Sequence, residues 1–334
     1  RDLHYPLSSA ASDVYKRQIL VVALFIWIPG EVSEKMGMKQ KVSYTFWSNM
    51  MGSVAGVLML LPVILKVKFE FVKELFFRMI KYSWPVMIAG FAFMVNENFD
   101  KAVQIHFISD GDAGAYGGCY KLAVLMTLFV TAYRMGIEPY FFKQMNSENA
   151  KNTYAKVTEY FTLFASVVAM GIIANISWLK MIFIPNKSYW TAIDIIPIIV
   201  IANLCFGIYY NLSTWYKVTD RTKMGTVISW TGAGLTIVLN LVLLKEYGFM
   251  VSAWVTLLAY FTMMVLSYFL GQKYYPIPYR VGKISMILIL LAVFSFASYQ
   301  LFNANIWTGN LLFIIFAGIV FYTEKDFVLK KIRK

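Results

Sequence analysis

The chain has 334 residues, of which 59% are hydrophobic and 17% aromatic against 15% charged, with a formal net charge of +13 and a mean hydropathy of +0.60. That balance excludes a soluble globular domain and predicts an integral membrane protein. Apolar runs of roughly 20 residues recur along the chain, and because lipid cannot satisfy free backbone groups these runs must be helices, which leaves no room for a soluble catalytic domain.

Residues 1–18, RDLHYPLSSAASDVYKRQ, carry no helical or membrane periodicity and begin at Arg1 rather than Met. The string SSAASDVYKRQ resembles a leader found at the broken ends of translated metagenomic fragments. The expectation is therefore a leader that is not native, on a truncated reading frame; it lacks the basic, apolar, small-residue order of a signal peptide. Ile19 to Ile28 is apolar for only ten residues, too short to cross, and reads as the tail of a longer helix. Tyr44 to Leu65 is a full span. The segment KVKFEFVKELFFRMIKY then puts apolar residues at helical spacing among five Lys/Arg, which suits an interfacial helix.

The next span, Trp84 to Ile108, is the most unusual stretch. At about 100° per residue, Gly90, Asn96, Glu97, Asp100, Lys101 and Gln104 share one stripe. A charge at the bilayer centre costs roughly 2.5 kcal/mol or more, so this stripe should face a bundle interior or wet cavity and mark a transport path. The other reading places it at the water interface, with Glu97 and Lys101 as an ordinary i,i+4 pair. Tyr116 to Phe141 repeats the pattern, with Tyr116, Tyr120, Thr127, Thr131, Arg134 and Glu138 inside a sector of roughly 60°. Arg134 and Glu138 either satisfy each other as an i,i+4 pair, or the guanidinium presents its planar donors to a phosphate. Lys121 lies off the stripe and suits snorkelling.

Further spans are Val157 to Leu179, Ile195 to Trp215, Gly225 to Leu244, Met250 to Leu270, Ile284 to Leu301 and Trp307 to Tyr322. Together these readings predict nine complete spans and the stub. Two of them carry milder stripes, Asn203, Gly207, Tyr210 and Thr214 in one and Gly225, Ser229, Gly232, Thr236 and Asn240 in the other; small and amide residues at this spacing point to tight helix packing before they point to a ligand. Pro85, Pro139 and Pro197 lie near span ends, where they bend the ladder or serve as hinges. Cys119 and Cys205 lack metal-ligand spacing and read as small core residues.

Basic residues alternate between loops. One set holds Lys66, Lys68, Lys73, Arg78, Lys81, Lys143, Lys151, Lys156, Lys217, Arg221, Lys223, Lys273, Arg280, Lys283, Lys325, Lys330, Lys331, Arg333 and Lys334. The other has only Lys35, Lys39, Lys41, Lys180, Lys187 and Lys245, while the turn at 109–115 carries Asp110 and Asp112. Positive residues stay on the cytoplasmic side, so the C-terminus is expected there. The net charge is explained by this asymmetry and a basic tail suited to anionic headgroups, and no nucleic-acid partner is needed. Nor is an enzyme expected: the only histidines are His4 and His106, and no phosphate loop, zinc spacing or nucleophile elbow occurs. No cofactor or metal site is predicted.

Three segments carry a resemblance: WPVMIAGFAFMVNENFDK, GAYGGCYKLAVLMTLFVTAYRMGIEPYFFKQM, and GAGLTIVLNLVLLKEYGFMVSAWVTLLAYFTMMVLSYFLGQKYYPIPY. With the G-x-Y-G-x-x-Y-K-L-A run at Gly114 to Ala123 and the L-N-L…Y-G-x-x-x-x-A pattern around Leu239 to Ala253, the chain from Ile19 onward resembles polysaccharide flippases, of the O-antigen (Wzx) type, in the multidrug/oligosaccharidyl-lipid/polysaccharide exporter superfamily. Lys245 stands where a proline is common and Val251 where a second glycine is common. The resemblance implies an all-α bundle of fourteen transmembrane helices, two six-helix lobes around a cavity plus an extra pair. On that map residues 19–66 end the N-terminal lobe, 67–275 form the C-terminal lobe, and 276–334 supply the last pair and tail. About four helices would be missing, so residues 19–334 alone are expected to insert without translocating substrate.

The resemblance further implies that a lipid-linked oligosaccharide with its undecaprenyl pyrophosphate anchor is turned across a bacterial cytoplasmic membrane by alternating access, driven by a proton or sodium gradient. The residues expected to bind substrate are Arg134, Lys101, Asn96, Tyr120, Thr127 and Asn240, and the candidate ion-coupling carboxylates are Glu97, Asp100 and Glu138. Two alternatives stay open: an exporter of cationic drugs on the same fold, which would favour an acidic cavity, and a membrane glycan polymerase or acyltransferase, which would need catalytic groups on a sizeable outer loop.

Overall fold

A computed structural model describes residues 50–54, 56–58, 60–62, 65 and 71–324. The leader, the stub, part of the Tyr44 to Leu65 span and the basic tail from Lys325 onward lie outside the described residues. Two compact units are distinguished, Arg1–Phe76 and Phe77–Lys334. In the first, residues 50–54, 56–58 and 60–62 are helical; everything below concerns the second.

Its helices are α1 (Lys73–Phe107, its first turn in the other unit), α2 (Asp110–Gln144), α3 (Ala150–Ala174), α4 (Ile176–Phe183), a 3₁₀ turn (Lys187–Ala192), α5 (Ile195–Leu212), α6 (Thr214–Val218), α7 (Thr222–Tyr247), α8 (Phe249–Tyr274), α9 (Val281–Phe296) running into a π-helical turn (Ala297–Leu301), and α10 (Ile306–Thr323). No strand occurs among the described residues. Seven of these segments are long and apolar enough to cross a membrane: Asp110–Gln144, Ala150–Ala174, Ile195–Val218, Thr222–Tyr247, Phe249–Tyr274, Val281–Leu301 and Ile306–Thr323. α1 has the length, at 35 residues, but Glu97, Asp100 and Lys101 sit in its middle and keep it off that set. The protein is an all-α polytopic membrane protein.

Local chemistry sets the boundaries. Ser109 caps α2, accepting from the Asp112 amide at 3.1 Å, and Asn305 caps α10 by accepting from the Trp307 amide at 2.9 Å. The sequence predicts one span over Val157 to Leu179, but the helix breaks at Asn175, whose side chain donates to the Gly171 carbonyl at 2.9 Å and accepts from the Trp178 indole at 2.8 Å; a side chain that competes for main-chain partners ends α3 and lets α4 begin. The predicted interfacial helix merges into α1, which stays helical through Pro85. Between α7 and α8 the chain reverses at a single residue, Gly248, with φ +66°, a left-handed conformation that glycine adopts without penalty.

α5 is predominantly apolar and 83% buried across its span, whereas the outlying α9 and α10 segments are 22% and 17% buried. A helix hydrophobic all round belongs in the middle of a bundle. Small residues let it and its neighbours approach: a Cβ on Gly207 would stand 2.6 Å from the Phe161 ring, one on Gly225 2.6 Å from the Tyr216 ring, and one on Gly232 would overlap the Met263 sulfur. The glycine stripes of α5 and α7 are therefore packing surfaces, as their spacing predicts.

At the end of the bundle where α3 and α9 begin and α10 stops, charges hold the last pair of helices to α3. Glu159, 5% exposed, pairs with Lys283 at 2.8 Å and with Arg280 at 3.5 Å, and the Lys283 ammonium also pairs with Glu324. Removing the Lys283 ammonium leaves the buried Glu159 carboxylate only its longer contact with Arg280, at a cost of up to about 3 kcal/mol. Lys283→Met should thus lower the thermal midpoint of the detergent-solubilised protein clearly, and Glu159→Gln added to it should recover part of the loss; equal midpoints for parent and single variant would show that the charges do not hold α9 and α10.

Candidate functional site

α1 presents its polar stripe to the interior. Asn96, Asp100 and Gln104 are 2%, 1% and 0% exposed, and each finds a partner on another helix. Thr236 on α7 donates to the Asn96 carbonyl oxygen at 2.8 Å, and Asn96 Nδ2 reaches the Ser229 main-chain carbonyl at 3.5 Å. Gln104 donates to Ser252 on α8 at 3.0 Å, Ser252 donates to Asn240 on α7 at 2.7 Å, and Asn240 donates to the Thr236 carbonyl at 2.8 Å. This ladder stitches α1 to the α7–α8 hairpin, and it occupies Asn96 and Asn240, two of the residues expected to bind substrate, in helix pairing.

The carboxylates beside it form a second set of contacts. Glu97 accepts from Tyr120 on α2 and from Tyr260 on α8, both at 2.7 Å. Asp100 accepts from Tyr116 and lies 3.4 Å from the Lys101 ammonium. Lys101 bonds to the Glu97 main-chain carbonyl and rests 3.5 Å above the Tyr120 ring. The i,i+4 ion pair between Glu97 and Lys101 is not formed, because the tyrosine hydroxyls take the carboxylate and leave the lysine only the carbonyl. Asp100 alone pairs with the cation, Glu97 is held by phenols, and three phenols in all surround the two carboxylates. Thr127, further along the same face of α2, has a buried hydroxyl without a hydrogen-bond partner.

Toward the other end of α2 a separate cavity of about 320 Å³ opens, and Arg134, Glu138, Tyr209, Tyr210, Lys217 and Ser229 are among its lining residues. Here too the geometry departs from the expected i,i+4 pair. Glu138 bonds to Lys217 of α6 at 2.9 Å, and the Arg134 guanidinium lies 4.6 Å from the Tyr210 ring centre. Lys217 also donates to the Tyr210 hydroxyl at 2.9 Å. Glu138 takes Lys217 from the neighbouring helix in place of the intrahelical pair, and the exposed Arg134 lines the cavity beside the Tyr210 ring. Two cations and one carboxylate give a net +1, set among aromatic rings: a site suited to an anion with a flat or hydroxylated neighbour. Ser229 joins the two regions, since its carbonyl meets Asn96 while its hydroxyl lies 3.3 Å from Tyr209.

The stripe on α2 thus divides: Tyr116 and Tyr120 serve the carboxylates, Arg134 and Glu138 line the cavity. Lys217, Tyr210 and Tyr260 were not singled out as site residues from sequence. The cluster of tyrosines around Lys217 in IYYNLSTWYK points to the first two, and nothing in the sequence singles out Tyr260.

The fold and these polar sites define a polytopic all-α helical bundle with a polar interior. Residues 17–145 match the family model described as "Polysaccharide biosynthesis protein". Among solved structures the chain is similar to "Lipid II flippase MurJ, inward closed conformation", with a TM-score of 0.66 and 16% identity over 94% of this chain and 67% of that one. No curated protein sequence matches it significantly. The structural match shows the fold that the two chains share, and the family model covers the part of the chain that includes α1 and α2.

Removing both phenols from Glu97 leaves its carboxylate without donors in a poorly solvated site, at about 1–3 kcal/mol for each lost bond. Tyr120→Phe/Tyr260→Phe should therefore lower the thermal midpoint, and Glu97→Gln added to it should restore part. An unchanged midpoint in the double variant would show that Glu97 is solvated by other means.

Proposed function

We propose that this protein takes part in turning a lipid-linked oligosaccharide, held by its undecaprenyl diphosphate anchor, from the inner to the outer leaflet of a bacterial cytoplasmic membrane for surface polysaccharide synthesis of the O-antigen type. The observation that carries this reading is the cavity of Arg134, Lys217, Glu138 and Tyr210, whose net charge and exposed guanidinium suit a diphosphate and whose ring suits a sugar. Movement of a lipid anchor between leaflets breaks no covalent bond, so alternating access of such a cavity suffices. Glu97, held by two phenols, and Asp100, beside Lys101, are the groups that a coupling proton or sodium ion would neutralise, with Glu138 as a third. Tyr120 and Thr127 serve the same face of α2, Tyr120 by orienting Glu97; Lys101 contributes to that cluster rather than to the cavity of Arg134.

Equilibrium binding tests the reading. The chain in nanodiscs should bind a fluorescent undecaprenyl-diphosphate oligosaccharide and leave the cationic drug ethidium unbound. Because Glu138 keeps Lys217, Arg134→Ala should leave the fold intact while weakening that binding roughly tenfold, and Arg134→Lys should recover only part, lacking the planar fork. Ethidium binding without glycolipid binding would replace this reading by drug export.

The same reading places the end with Lys223 and the C-terminus in the cytoplasm and Asp112 outside. An impermeant thiol reagent on intact, outer-membrane-permeabilised cells should label Asp112→Cys and spare Lys223→Cys; the reverse pattern inverts the orientation.

A further inference from the structure

A second basic concavity, of about 650 Å³, lies beside the cavity of Arg134. It is lined by Arg78, Lys81 and Pro85 of α1 and by Asp220, Arg221, Thr222, Lys223 and Met224 at the start of α7. The two share Thr222, and their common wall is fixed where the Thr226 hydroxyl donates to the Pro85 carbonyl at 2.9 Å. Four cations and one carboxylate give the outer concavity +3, against +1 for the inner.

Retention of positive residues on one side of the membrane explains why Lys and Arg are abundant at this end, but not why these converge. Some members of the basic set are engaged elsewhere: Lys283 and Arg280 hold Glu159, Lys217 holds Glu138, and Lys151 rests on the Tyr275 ring at 4.6 Å. Among the described residues, Arg78, Lys81 and Lys223 form no ion pair, and Arg221 contacts only the face of Tyr274, at 4.6 Å, through its ring contact, leaving its donors open. Four cations drawn from two helices around one concavity, against the single carboxylate of Asp220, form an anion site.

We infer that this outer concavity binds the phosphate-bearing headgroup of a lipid and acts as a loading position, holding the diphosphate of the lipid-linked substrate before it passes Thr222 into the cavity of Arg134. The choice of that ligand rests on the flippase reading; the phosphate chemistry of the site does not. The step down from +3 to +1 gives the order of the two positions, since the more positive outer site captures a headgroup from the membrane surface and the stacked Arg134 and Tyr210 add contacts to the sugar and phosphate inside.

Farnesyl diphosphate, a short lipid diphosphate without sugar, is the probe, titrated onto the whole chain in nanodiscs of neutral phosphatidylcholine. Lys81→Gln/Lys223→Gln should weaken its binding by roughly tenfold or more at an unchanged thermal midpoint, because neither side chain is paired; Lys151→Gln, a charge removed at the same end outside the concavity, should leave it unchanged. Parent-like binding by the double variant, or an equal loss in Lys151→Gln, would overturn the proposal. Repeating the titration with phosphatidylglycerol in the nanodisc separates the sources. Retained binding identifies the substrate diphosphate as the ligand; displacement means that the headgroup site exists but is held by bilayer lipid, which overturns the loading role. Arg134→Ala, the test of the inner cavity, should leave farnesyl diphosphate binding in place, so loss at one site is told apart from loss at the other.

Discussion

Lipid offers α1 no hydrogen bonds, and this one constraint organises the bundle. Asn96, Asp100 and Gln104 are almost completely withdrawn from solvent, so each must meet a partner supplied by another helix. The partners come from α2, α7 and α8, and they determine which faces of those helices turn inward. Thr236 and Asn240 must look at α1, and that orientation carries Gly232 to the point where Met263 and Asn96 close over it. The tight reversal at Gly248 then brings Ser252 against Asn240. Packing of α5, predominantly apolar and largely buried, fills what remains.

The same constraint separates two electrostatic regimes within one molecule. Around Glu97 and Asp100 the negative charge is in excess and tyrosine hydroxyls hold it in place, whereas around Arg134 and Lys217 the positive charge is in excess and tyrosine rings support it. Tyrosine performs both tasks because its hydroxyl donates to carboxylates while its face attracts cations. Ser229, touching Asn96 through its carbonyl and Tyr209 through its hydroxyl, is where a change in one regime can be felt in the other.

Much of the fold was legible in the sequence. Apolar runs of membrane length are averages over many residues, and averages survive the neglect of detail. The α1 stripe was legible as one polar face, but its spacing left an interior and an interfacial placement open, and only the burial of Asn96, Asp100 and Gln104 decides between them. Partner choice was not legible. Arg134 and Glu138 stand i,i+4, a spacing that favours pairing, but Lys217 approaches from α6 with equal reach and wins; nothing in the order of residues announces which helix will be adjacent. The break at Asn175 escaped for a related reason, since one polar residue hardly alters the hydropathy of its window although its side chain competes directly for the backbone. Asn96 and Asn240 look alike in sequence whether they face a ligand or a neighbouring helix, and only the contacts with Thr236 and Ser252 distinguish the two.

The ladder between α1 and the α7–α8 hairpin has a bearing on biosynthesis. Asn96 meets Thr236 across 140 positions of chain, Gln104 meets Ser252 across 148, and Glu97 meets Tyr260 across 163. A ribosome adding about 5–20 residues per second needs roughly ten seconds or more to make that interval. During it, α1 has left the ribosome while half of its partners do not exist, and its hydropathy alone does not commit it to lipid. α2 can relieve Glu97 and Asp100 early through Tyr120 and Tyr116, but Asn96 and Gln104 must be sheltered by the insertion machinery or held at the aqueous interface. The polar face that organises the finished bundle thus makes its first helix the last to be fully seated.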